Sequence, residues 1–311
     1  MTCTTTQDCP SNATCCDGSK EGCDGTRLPS GDGTNSGQYV VSADGLTVTD
    51  TITGLVWQRD GSGTRTGCSS SDNLTCSWAQ AKAYCGGLVL GGVSGWRLPA
   101  REELLTIVDF AQDNPSIDPT AFPDTPSSCF WASSPAGVGA IGVWAVNFRN
   151  GDSDPFITFV GNAGYFFRVR CVGGSRCYPT SRFVVLSGGL VRDTLTNLVW
   201  QQQASTTLMT WADAQTYCSD AGSGFRLPTV KELVSIVDLT VTSGPLINQT
   251  AFPGLPANVI SAADVFWTSS PTTDPPVGYN DSSGSAWYVP FVNGIAYSYG
   301  VGNSRGVRCV R

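Results

Sequence analysis

The amino-acid sequence predicts an α+β protein built as two tandem copies of one small, loop-rich, disulfide-bonded fold. Three observations predict it. A set of landmarks recurs in one order, two cysteines occupy matched positions in both copies, and the composition suits neither a helical bundle nor a disordered chain. With 36 Gly, 18 Pro and only 14% charged residues, long helices have little to build on. The 9 Trp, 13 Phe and 9 Tyr need a core to bury them.

The repeat is read from paired segments. "LTVTDTITGLVWQR" from Leu46 returns as "GLVRDTLTNLVWQQ" from Gly189, and "WAQAKAYC" from Trp78 returns as "WADAQTYC" from Trp211. "GWRLPAREEL" from Gly95 returns as "GFRLPTVKEL" from Gly224, "IDPTAFP" from Ile117 as "INQTAFP" from Ile247, and "FWASSP" from Phe130 as "FWTSSP" from Phe266. "WAVNF" and "VRCV" close the first copy, "WYVPF" and "VRCV" the second. The organisation predicted is a cysteine-rich appendage at 1–36, a first domain at 37–173 and a second at 178–311. A chain of 311 residues suffices for two such domains, each able to bury a core.

Each element follows from local pattern. "LTVTD" and "GLVW" predict short strands around a turn at Thr53-Gly54, matched by "RFVVLSGGLVRD" and "NLVW". Asp50 and Asp193 are placed to cap that turn. A helix is predicted from Trp78, capped by Ser77, with Trp78, Ala81 and Cys85 on one face. A second is predicted from Ala100 to about Phe110, burying Leu104, Leu105 and Val108, with Glu102 and Glu103 in its first turn. The shared acid, Glu103 or Glu232, is expected to brace the neighbouring loop through Arg97 or Arg226. The rest reads as short antiparallel strands joined by long loops.

Thirteen cysteines point to an oxidising, extracytoplasmic compartment. Only Cys85 with Cys171, and Cys218 with Cys309, recur in both copies. A bond from the end of the first helix to the last strand would close each domain; the alternative is four buried thiols. Cys68 and Cys76 are expected to staple an insertion unique to the first copy. The odd remainder, Cys3, Cys9, Cys15, Cys16, Cys23, Cys129 and Cys177, leaves room for a tether through Cys177 or a bond to another chain. No export signal is legible after Met1, so any such segment is expected to have been removed or replaced by a start methionine.

Lys plus Arg total 18 against 25 acids, a net charge of -7, and no basic run exists, which argues against nucleic acid as partner. No stretch approaches a membrane span, so no membrane insertion is expected. The chain has no histidine. That excludes Ser-His-Asp and Cys-His nucleophiles and histidine-ligated metals, and no convergent carboxylate pair recurs for glycosidase chemistry.

"DTITGLVWQR", "WAQAKAYC", "GWRLP" followed by "EEL", "FWASSP", "WAVNF" and "VRCV", each written twice, resemble the domain of unknown function at the C-terminus of the Legionella collagen-like adhesin. The resemblance covers about 270 of the 311 residues. It implies a C-type-lectin-like fold in which two helices flank a small twisted antiparallel sheet, secretion or surface display, and, in the adhesin, binding of sulfated polysaccharides. It implies no chemistry. "GWRLPAREEL" is also similar to a segment of formylglycine-generating enzymes, whose reactive late cysteines would correspond to Cys171 and Cys177, or Cys309. The calcium triplets of lectins are missing, so calcium has no motif behind it and no cofactor is expected.

The function expected is a non-catalytic secreted or surface-displayed module for adhesion or carbohydrate binding, its partner a glycan or a protein, including copies of itself. The alternative is a subunit of an extracellular assembly. The net charge favours a neutral glycan over a polyanion. Recurring tryptophans are read as core, and aromatics outside the repeat (Tyr165, Phe166, Phe167, Tyr288, Tyr297, Tyr299) as ligand surface. Candidate contacts in the variable loops are Asn150, Asp152 and Asp154, then Asn280, Asp281 and Tyr297. The alternative is that "NGDSD" and "NDSSG" merely turn the chain.

Overall fold

Local signals place the same series of elements in both copies. The computed structural model describes residues 32–70, 73–135, 142–156, 165–174, 182–222, 224–241, 244–255, 264–272 and 284–311. In the first copy β1 (Tyr39–Val41), β2 (Thr47–Asp50) and β3 (Val56–Gln58) precede α1 (Trp78–Gly86) and α2 (Arg101–Thr106). Then come β4 (Cys129–Pro135), β5 (Val143–Asn147), β6 (Ser153–Phe156) and β7 (Val172–Gly173). In the second copy β8 (Phe183–Leu186), β9 (Leu190–Asp193) and β10 (Val199–Gln201) lead to α3 (Trp211–Asp220) and α4 (Val230–Ser235). It ends with β11 (Val265–Thr272), β12 (Ser285–Pro290) and β13 (Tyr297–Gly300).

All pairings between these strands are antiparallel, in the orders β1-β2-β3-β7, β4-β5-β6, β10-β9-β8 and β11-β12-β13. The turn after β2 is held by Asp50, whose carboxylate accepts from Ile52 N at 3.0 Å and Thr53 Oγ1 at 2.8 Å. Gly54 and its counterpart Asn197 sit there at φ +70° and +59°. Ser77 caps α1 in a reciprocal capping box with Gln80. The second helix stops at Thr106, short of the expected Phe110, because the following N–H groups leave the ladder: Asp109 N donates to Ser116 O and Phe110 N to Asp32 O.

The two halves share one hydrophobic core. Leu104, Val108, Trp144 and Phe148 of the first copy belong to the same cluster as Leu233, Val237, Trp287 and Phe291 of the second. Two satellite clusters lie outside it, one in each half, each built around a helix-to-strand disulfide. At the junction Phe110 meets Trp287 edge to face, centroids 5.6 Å apart. Arg101, fully buried, stacks over Trp144 at 4.1 Å and donates to Ser153 Oγ and, across the junction, to Gly294 O. Residues 32–34 strap the seam, since the Asp32 carboxylate accepts from Ser270 Oγ of the second half and Thr34 donates to Asp109 of the first. The expectations for residues 1–31 and for Cys177 lie outside the described residues.

Disulfides join Cys85 to Cys171 and Cys218 to Cys309, across 86 and 91 residues, and Cys68 to Cys76 within the first copy's insertion. Loops of that length predict that replacing Cys218 and Cys309 together by Ser lowers unfolding free energy by about 4–5 kcal/mol. Urea denaturation of the variant beside the parent chain measures it.

Lys231, on α4 at the same seam, is 6% exposed. Burial pushes its ammonium from the ordinary 10.5 down to about 8, against the opposing pull of Asp109, Asp32 and Asp50. Between those two values the unfolded chain binds the proton that the folded one releases. Folding stability therefore rises with pH across that window, by up to about 3 kcal/mol. Lys231→Met is expected to abolish this rise, as urea midpoints at pH 7, 8.5 and 10 would show.

Candidate ligand surface

Most recurring polar groups are spent on the fold. Glu103 takes both guanidinium nitrogens of Arg97 at 2.6 Å and also accepts from Ala100 N at 2.8 Å. Glu232 does the same with Arg226, at 2.7 and 2.6 Å, and with Thr229 N at 2.8 Å. Both carboxylates are buried, so they brace the loop as the sequence led us to expect. The indole N–H of Trp131 donates to Cys76 O and that of Trp267 to Met209 O; Trp78 reaches Ala132 O and Trp211 reaches Thr268 O. Trp57, Trp131, Trp200 and Trp267 are wholly buried, and no ligand can stack on them.

A pair of buried arginines also recurs, neither making an ion pair among the described residues. Arg170 donates to the carbonyls of Gln58 and Arg59, and to Thr125 Oγ1 at 2.7 Å. Arg308 donates to the carbonyls of Gln201 and Gln202, but its other terminal nitrogen has no partner. The reason is a substitution between copies, since Leu255 stands where the first copy has Thr125. Burial pushes both guanidinium pKa values down. Sequence reasoning missed these arginines, although their place in "VRCV" was a signal. Thr125→Val, which puts Arg170 in the position of Arg308, is expected to cost about 1–3 kcal/mol in urea denaturation.

The candidate loop residues have structural duties. Asn150 and Asp152 hold one another across the β5–β6 turn, with Asn150 Nδ2 donating to Asp152 Oδ2 at 2.6 Å and Asp152 N to Asn150 Oδ1 at 3.2 Å. In the equivalent turn Asn293 accepts from Ile295 N and donates to Tyr297 Oη at 3.2 Å. Each turn needs its glycine. Gly151 and Gly294 have φ of +86° and +67°, and a Cβ there would lie 2.6 Å from Phe110 and 2.7 Å from Val237. Asp154 lies in β6 opposite Ala145. Asn280 and Asp281 lie outside the described residues.

The aromatics outside the repeat gather on one surface in each half. In the first copy Tyr165, 54% exposed, stacks on Phe167 at 5.8 Å, and Phe167 lies 4.5 Å from the buried Trp131. Phe166 is exposed beside them. In the second copy Arg305 takes the place of Phe167. Its guanidinium lies 3.8 Å from the Tyr288 ring centroid and 5.1 Å from those of Trp267 and Tyr299. Tyr288 also packs on its cross-strand neighbour Tyr297 at 5.6 Å. Arg305 makes no ion pair among the described residues, and burial pushes its pKa down and that of Tyr288 up. Such a surface can stack on a flat apolar face and donate hydrogen bonds; it holds no nucleophile–base pair.

This architecture defines a tandem α+β module in which every half is closed by its own disulfide. The chain belongs to the Lcl C-terminal domain family, whose model matches residues 46–172 and again 189–311. No curated protein matches it. Among the described residues no helix is long and apolar enough to cross a membrane, and no cluster of His, Cys, Asp or Glu could hold a metal ion.

Proposed function

We propose that the chain is a non-catalytic binding module of C-type-lectin-like fold, displayed outside the cytoplasm, with a glycan or protein ligand held on the aromatic surfaces. One observation carries this reading. The two copies share the Arg–Glu clamp, the helix disulfide and the buried tryptophans, yet differ where Tyr165, Phe166 and Phe167 replace the Tyr288, Tyr299 and Arg305 cluster. Tyr165 and Phe166 are exposed and the others half-buried, and aromatic groups left open to solvent where the copies differ suit a binding surface. The disulfides support an oxidising compartment. The disulfides of Cys171 and Cys309 to cysteines of α1 and α3 support the non-catalytic reading over a formylglycine-type one.

A second reading, self-association into an extracellular assembly, is favoured by the outer strands β1 and β8. Val40, Val41, Val184 and Val185 are 39–55% exposed there. A glycan array together with light scattering separates the two. Binding to an array glycan by a monodisperse chain, weakened about tenfold by Arg305→Ala at unchanged thermal midpoint, is the expected outcome. Polymers that bind no glycan would replace the first reading by the second.

A further inference from the structure

A cleft of about 360 Å³ lies in the first copy between the strap at 34–41 and the turn at 118–121, away from the aromatic surfaces. Its volume falls in the lower part of the range of small-molecule sites, about 300–1,000 Å³. Tyr39, Val41 and Ala121 give it an apolar wall, and Asn35, Gln38, Asp118 and Thr120 a polar one.

Two of its polar groups have hydrogen-bonding capacity that the fold leaves unused. Tyr39 Oη accepts from Gln38 Nε2 at 3.1 Å, and burial pushes its pKa up, so the phenol keeps a proton to donate. Asp118 spends one oxygen on Thr120 N and Ala121 N, at 2.7 and 2.9 Å, and its other oxygen accepts nothing among the described residues.

The second copy shows that neither is needed for folding. Phe183 stands opposite Asp193 as Tyr39 stands opposite Asp50. Tyr39 meets Phe122 at 5.1 Å and 78°, and Phe183 meets Phe252 at the same distance and angle. The hydroxyl is thus irrelevant to the packing. Asn248, in the place of Asp118, caps Ala251 N at the same 2.9 Å. Where the first copy has Gln38 the second has Arg182, which bonds both oxygens of Asp193 and the carbonyl of Ser235.

We propose that the cleft binds one unit of a neutral sugar, its C–H face on Tyr39 and Val41 and its hydroxyls on Asp118 and the Tyr39 phenol. A donor and a carboxylate on one cleft suit vicinal hydroxyls, each of which donates and accepts. The carboxylate turns anions away. This site is independent of the aromatic surfaces, and it fails or stands separately from them.

The test is saturation-transfer NMR on the whole chain with glucose, galactose, mannose, fucose and N-acetylglucosamine, repeated on Asp118→Asn, Tyr39→Phe and, as a control for loss of a tyrosine hydroxyl elsewhere, Tyr217→Phe on the exposed face of α3. At least one sugar is expected to bind, with affinity reduced tenfold or more by Asp118→Asn and by Tyr39→Phe. Both cleft variants install the second copy's own residue, so thermal midpoints should stay put. Tyr217→Phe should bind the sugar as the parent does. No transfer to any of the five sugars, binding that survives both cleft variants, binding lost equally in Tyr217→Phe, or binding abolished by a chelator would each overturn the proposal.

Discussion

The structure depends on one carboxylate in each half that does two jobs. Glu103 clamps the Arg97 guanidinium and caps the helix on which it sits, through Ala100 N. Arg97 is not a free side chain when this happens. Its backbone exchanges both hydrogen bonds with Val172, at 2.9 and 3.0 Å, and two residues on Pro99 O receives Ser133 N from β4. A single decapeptide therefore ties the second helix to the last strand and to the sheet. Glu232, Arg226, Val310 and Pro228 repeat the arrangement, with Ser269 N on Pro228 O. Removing such a carboxylate would strand a guanidinium and a helix N–H together, which explains why "RLP" and the Glu that follows are written in both copies.

The disulfides work on the same region from the opposite side. Cys171 and Cys309 precede the valines that pair with the arginines, so the closing segment of each half is held by a covalent bond and by the clamp within two residues. Gln58 and Gln201 finish the seat, accepting from the N–H of Cys171 and Cys309. Around this rigid centre the halves are free to differ, and at the seam they must. Arg101 reaches Gly294 O of the other half, while its counterpart Val230 offers no donor. The two copies are joined by an asymmetric contact inside a shared core, and a duplicated domain has become one folded body.

Much of this was legible in the sequence, for a physical reason. The frame was written twice, and chance seldom repeats a Glu six residues after an Arg beside the same Leu-Pro. The turn aspartates, the Ser77 cap and the matched cysteines could be read in this way. The early end of α2 could not, because Ser116 in the following loop and Asp32, far back along the chain, capture the next N–H groups. Neither could the fused core, since Leu104 and Leu233 look equally fit for separate interiors. The candidate loop residues were singled out for carrying polar atoms, and Asn150 and Asp152 turn out to spend theirs on each other.

The same duplication supplies what a single sequence otherwise lacks, an internal control. A group present in both copies and satisfied in both is frame, as Glu103 and Glu232 are. A group present in one copy, replaced in the other without loss of packing, is not required by the frame. Tyr39 against Phe183 and Asp118 against Asn248 meet that standard because the aromatic contact and the turn hydrogen bond are unchanged by the exchange. Arg305 against Phe167 meets it less strictly, because both side chains pack on the buried Trp below them. Unspent hydrogen-bonding groups are costly to keep away from water unless something completes them. The difference between the copies thus separates residues that hold the fold from residues that face a ligand, a distinction that burial or charge alone does not draw.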